Sequence, residues 1–126
     1  MDERISQEFA LLREAYPAAV YHQRWVLLHG YELPAGWSVA SIDVAFFLKA
    51  PYPANSPYGI YTPPGLTFEG KPPANYAAAK HAPPFPGTWA MFSWQAEQWA
   101  PGKTAASGHN MLTWSNGIGR RFMEGV

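Results

Sequence analysis

Ile5, Phe9, Leu12 and Tyr16 recur at steps of four, three and four, which is one face of a helix over residues 2–16. Asp2 and Glu3 place negative charge at its start, and Pro17 ends it, because the residue before a proline is pushed out of the α region. Arg4, Gln7, Glu8 and Glu14 are expected largely on the polar side of the wheel. Residues 20–31 read as a strand around the apolar run Trp25–Leu28, followed by turn chemistry at Leu33–Gly36. Over Val39–Leu48, Ile42, Val44, Phe46 and Leu48 alternate with Ser41, Asp43, Ala45 and Phe47, so a second strand pairs antiparallel with the first. Phe47 implies that the second face of this pair is partly covered as well.

Beyond it the pattern loosens. Ala50–Pro57 is a proline-stiffened connector, Tyr58–Thr62 reads as a third strand, and Leu66–Phe68 as a short fourth. Glu69–Pro86 reads as loop with a helix-tolerant patch at Tyr76–Lys80; a loop of that length in a compact domain is usually functional or mobile. Trp89, Trp94 and Trp99 then crowd together before Pro101-Gly102. Met111, Trp114, Ile118 and Phe122 mark a last helix over 109–123, capped by Asn110 or Ser107. Gly117 and Gly119 lower its propensity by roughly 1 kcal/mol each. Helices against one face of an antiparallel sheet make an α+β class, and the expected unit is a single domain over 1–126.

Composition narrows the function. Nine Lys+Arg balance nine Asp+Glu, which leaves no basic field for nucleic acid and no polybasic run for a membrane. The charged N-terminus lacks a signal h-region, so a cytoplasmic protein is expected. There is no cysteine, hence no disulfide and no thiolate metal site. His22 and His29 lie seven apart on the expected strand, and His81 and His109 fall in loop or cap positions, so no metal site and no cofactor are expected. Gly117-Ile118-Gly119 sits inside a helix-like run rather than after a strand, so it is no dinucleotide motif. Ser93 with His81 or His109 lacks any local pattern of a serine nucleophile. Trp89, Trp94 and Trp99 would bind sugars or proline-rich peptides only as an exposed, coplanar set.

The order of elements resembles the ubiquitin-conjugating (UBC) fold: an N-terminal helix, a three- to four-strand antiparallel meander, a long proline-rich active-site excursion and a C-terminal helix. Tyr52-Pro53 resembles the Tyr-Pro that opens the proline-rich turn in that family, with Pro63-Pro64 following. Trp99-Ala100-Pro101 resembles its Trp-x-Pro. Leu33-Pro34-Ala35-Gly36-Trp37, and Trp89-Ala90-Met91-Phe92-Ser93 before Trp99-Ala100-Pro101-Gly102, are similar to elements of the prokaryotic members known as family E.

That resemblance implies a bacterial modification pathway, several examples of which act in anti-phage defence. The partners would be a ubiquitin-like modifier, an adenylating activating enzyme and, in many cases, a deubiquitinase-like peptidase. A cysteine thiolate would accept the modifier as a thioester and pass it to an amine. The family's cysteine lies about eight residues before its Trp-x-Pro, which points to Met91 with Ala90 beside it. Ala90 is the suspected position of the missing sulfur, by engineering or by natural loss; the alternative is a small residue packed between Trp89 and Phe92. No His-Pro-Asn tripeptide exists here, and His81 and Asn75 are the nearest stand-ins for polar support. Arg4, Glu8, Tyr52 and Trp99 are the candidate partner-binding residues. Two other readings stand beside this one: a UBC-fold scaffold without catalysis, and an aromatic-rich binding module.

Overall fold

The computed structural model describes residues 2–125. Helix α1 spans Glu3–Ala15, and Asp2 caps it by accepting the Ile5 N–H at 2.8 Å. Strands β1 (Val20–His22), β2 (Trp25–Glu32), β3 (Ser41–Phe47) and β4 (Tyr58–Thr62) follow. Then come β5 (Tyr76–Ala78), β6 (Ala90–Gln95) and helix α2 (Met111–Glu124). The six strands form one sheet in the order β1-β2-β3-β4-β6-β5, with every pairing antiparallel. The fold is α+β and consistent with the UBC-like layout of terminal helices around a meander.

The sheet is longer than the sequence pattern implies. The first strand is a hairpin, because Gln23 and Arg24 both take positive φ (47° and 70°) and turn the chain in two residues. No glycine or asparagine marks that turn. Leu66–Phe68 contributes only an isolated bridge from Phe68 to Trp37 and another to Lys71, instead of a strand. Tyr76–Ala78, expected to tolerate helix, is extended. Asn75 enters the left-handed region at φ 58° just before it, and β6 supplies a ladder partner for each residue. The aromatic stretch is itself a strand: Ala90, Phe92 and Trp94 are buried while Met91, Ser93 and Gln95 are more open.

Both helices pack on one face of the sheet. Ile5 and Leu12 from α1 and Met111, Ile118 and Phe122 from α2 meet Val26, Leu28, Val44, Phe46, Ile60, Phe92 and Trp94. Trp37 closes this core, its indole donating to the Phe122 carbonyl at 2.8 Å. Leu27, Ala45 and Trp89 form a second cluster on the other face, partly covered by Phe85 and Ala79 from the β5–β6 connection. Asn110 caps α2 in a reciprocal box: its Oδ1 accepts the Thr113 N–H and its N–H donates to Thr113 Oγ1, both at 2.9 Å.

Candidate functional site

Ala90 opens β6 and pairs with Thr62 of β4 on one side and Ala78 of β5 on the other. It is 3% exposed, and by strand alternation its side chain shares the face of Phe92 and Trp94. Met91 is half-buried on the opposite face and lies against Gly59, where any side chain would overlap its thioether. Ala90 presents no side chain to bulk solvent, and Met91 presents only part of its own. A thiol at 90 would be buried, and burial disfavours the thiolate.

His81 and Asn75 are exposed, in the β5–β6 connection and in the turn before β5. Among the described residues neither side chain makes a hydrogen bond; Asn75 is tied in only by its carbonyl, which accepts the Ser93 N–H at 2.9 Å. The structure therefore does not join them to Ala90 or Met91 through hydrogen bonds. Trp89, Trp94 and Trp99 form no coplanar exposed set. Trp89, just before β6, and Trp94, within it, are buried on opposite faces of the sheet, and Trp99 is half-buried in the loop beyond.

Arg4, Glu8, Tyr52 and Trp99, in contrast, are gathered into one place. Glu8 is 1% exposed, where the apolar pattern of α1 implied a polar surface. The reason is its spacing: three after Ile5 and four before Leu12, it lies in the buried stripe. Its carboxylate accepts from Arg4 Nε at 2.6 Å, from the Tyr52 hydroxyl at 2.5 Å and from the Met111 N–H at 2.8 Å. Arg4 reaches on to the Gly102 carbonyl at 3.1 Å. Trp99 packs beside Tyr52, its indole donating to the Pro53 carbonyl at 2.7 Å. The carboxylate thus fastens α1 to the connector after β3 and to the N-terminus of α2, where the helix favours negative charge, and its partner Arg4 adds the loop after β6. Burial, and then the hydrogen bond to Glu8, push the Tyr52 hydroxyl well above its ordinary pKa of 10.0, so it stays protonated and donates.

Next to this network a cleft of about 610 Å³ opens between residues 94–99 and α2. Trp94, Trp99, His109, Trp114, Gly117 and Arg121 are among its walls. The His109 ring stacks on Trp99 at a 17° interplanar angle, and its Nδ1 accepts the Ala100 N–H at 2.8 Å. Arg121 donates to the Gln95 carbonyl at 2.7 Å and holds its guanidinium 5.6 Å from the centre of the Trp94 ring. Among the described residues no group of His, Asp and Glu could hold a metal ion, and no helix is long and apolar enough to cross a membrane. Sequence reasoning passed over this cleft because its walls come from two segments that only the fold brings together. Glu8 was findable, since steps of three and four place it with Ile5 and Leu12.

No curated protein and no solved structure matches this chain. The sequence model of one family, described as prokaryotic E2 family E, matches residues 6–115, from the first turn of α1 into α2. The match covers the whole sheet, Glu8, Tyr52 and the Trp99 loop, and the chain belongs to prokaryotic E2 family E.

Proposed function

We propose that this chain acts as an E2-like scaffold, which holds a ubiquitin-like modifier or a peptide by non-covalent contact and does not itself carry a thioester. One observation carries this reading. The chain has no cysteine, and both Met91, to which the family spacing points, and the buried Ala90 beside it are paired on two sides within a three-strand ladder. Thioester transfer needs a thiolate that the modifier's C-terminal carbonyl can reach, with donors poised for the oxyanion. Ala90 is buried and Met91 half-buried, and among the described residues neither receives a side-chain hydrogen bond from His81 or Asn75. The partners in this reading are a ubiquitin-like modifier, its adenylating activating enzyme and a deubiquitinase-like peptidase. Arg4, Glu8, Tyr52 and Trp99 act by setting the shape of α1 and the Trp99 loop rather than by meeting a partner directly.

A second reading has the spacing in its favour. Met91 lies eight residues before Trp99, as the family's nucleophile does. In this version the native protein carries the modifier on a cysteine at 90 or 91 and passes it to an amine, and the alanine is an introduced or natural loss.

Installing cysteine separates the two. A90C and M91C are each incubated with activating enzyme, modifier and ATP, then resolved with and without reductant. The scaffold reading expects no reductant-sensitive adduct from either variant, while immobilised modifier still retains the unaltered chain. A thioester at either position overturns the scaffold in favour of the carrier.

A further inference from the structure

The loop between β6 and α2 is closed by a bond that one proton can remove. Its two arms, 100–102 and 107–109, run antiparallel with a bridge between Pro101 and Gly108. The Gly102 N–H donates to the Ser107 carbonyl at 3.0 Å, and the His109 N–H to the Ala100 carbonyl at 2.9 Å. In a regular antiparallel ladder the Ala100 N–H would complete that last pair by donating to the His109 carbonyl. Here it donates to His109 Nδ1 at 2.8 Å, and the imidazole stands in for the backbone where the chain turns into Asn110, the cap of α2. Turning the ring over would set Cδ2–H against the amide. The bond therefore fixes both ring orientation and tautomer, with Nδ1 bare and the proton on Nε2.

This bond helps to seat Trp99, the residue before Ala100. The Trp99 ring stacks on His109 at 17°, lies beside Tyr52, and donates its indole N–H to the Pro53 carbonyl. Trp99 and His109 both wall the cleft beside α2. The charges around the ring offer a cation little compensation. Glu97 of the loop and Glu124 of α2 line the cleft together with Arg120 and Arg121. Arg4 of α1 holds the Gly102 carbonyl and is paired with Glu8, which also takes the Tyr52 hydroxyl. Lys103 is exposed within the loop itself. Among the described residues the ion pairs are Arg4–Glu8 and His29–Asp43, so no carboxylate pairs with the His109 ring. The ring also directly precedes the N-terminus of α2, where positive charge is unfavourable.

We propose that His109 is a pH-sensitive clasp: protonation at Nδ1 breaks the bond to Ala100, frees Trp99 and the two arms of the loop, and so reshapes the mouth of the cleft. A protonated ring carries N–H on both nitrogens and no acceptor, so two donors would face each other across the present 2.8 Å. The bond is made while the ring is neutral and is lost as pH falls through the range of about 5–8 in which histidine changes charge. Of the four histidines, only His109 accepts a backbone N–H through its ring among the described residues.

The test follows the ¹⁵N-labelled full chain by NMR from about pH 8 to about pH 5. At the upper end the ring ¹⁵N shifts of His109 should show Nδ1 bare and Nε2 protonated, a reading that needs no variant. On acidification the Ala100 amide and Trp99 indole signals should move with the same midpoint as the His109 ring. His109→Asn is the matched control, since its Oδ1 branches from the same carbon as Nδ1, accepts the Ala100 N–H and does not titrate. At the lowest pH the Ala100 amide should exchange with solvent at least tenfold faster in the unaltered chain than in His109→Asn. His109→Ala, with no acceptor at any pH, should match the fast exchange. The proposal is overturned if Nδ1 carries the proton at the upper end, if the Ala100 and Trp99 signals do not follow the ring, or if His109→Asn exchanges as fast as the unaltered chain in acid.

Discussion

At the scale of single residues, Glu8 dominates. A carboxylate removed from water is tolerated only when paired and hydrogen-bonded, and Glu8 has a guanidinium, a hydroxyl and a helix N-terminal N–H as donors. Glu8→Gln keeps the shape but leaves the Arg4 charge without its partner. We expect a loss of about 3–5 kcal/mol, read as a lower midpoint in urea unfolding. Tyr52→Phe removes one hydrogen bond of the three and should cost about 1–3 kcal/mol. Tyr52 also sets an alkaline limit. Its folded-state pKa is raised by burial and by Glu8, so the fold favours the protonated hydroxyl. That contribution is intact below about pH 10, where the unfolded tyrosine begins to ionise, and is lost as pH rises toward the folded value. Stability should therefore fall above about pH 10, and the fall should be shallower in Tyr52→Phe.

At the scale of elements, what was legible in the sequence follows from how each element meets solvent. α1 and β3 each present one apolar side, and their periods of 3.6 and 2 appear directly as Ile5-Leu12 and as Ile42-Val44-Phe46. α2 was legible from Met111, Ile118 and Phe122 despite its two glycines. The β1–β2 turn was not, because Gln23 and Arg24 adopt left-handed backbone without the residues that usually signal it. β5 was hidden by its alanines, whose extended form depends on the ladder with β6. Of the candidate site residues, Arg4, Glu8, Tyr52 and Trp99 do assemble, but as a buried fastening; the pairing of Glu8 with Met111 crosses the full chain and leaves no local trace. The cap of α2 offers an element-level test. Asn110→Ala deletes the acceptor for Thr113 and the donor to the Ala105 carbonyl, and should lower stability by about 0.5–2 kcal/mol in thermal melts.

At the scale of the whole molecule, the sheet is clad on both faces but unequally. The helices seal one side with Phe46, Phe92 and Phe122, all fully buried. The other carries Trp25 in ring contact with Phe47 at 5.1 Å and with Tyr61 at 5.0 Å, all three only half-buried. Stability should rest mainly on the helix side. Phe92→Ala there is expected to cost about 3–5 kcal/mol by equilibrium unfolding, and Phe47→Ala on the other face clearly less. Family membership fits this division, since the matched span includes the sheet and the Glu8, Tyr52 and Met111 contacts that set the helices on it.

The reach of the Glu8 carboxylate also has a kinetic meaning. Its bond to Met111 joins positions 103 apart, and the Arg4 bond to Gly102 joins positions 98 apart. Contacts that close so much chain form only after the strands between them have found their register. They belong to the downhill side of the folding barrier. Glu8→Gln should therefore leave the refolding rate almost unchanged and speed unfolding by nearly the whole of its equilibrium effect, a φ value near zero in stopped-flow chevrons. The carboxylate then acts as a latch, which sets how long the native chain endures rather than how quickly it is reached.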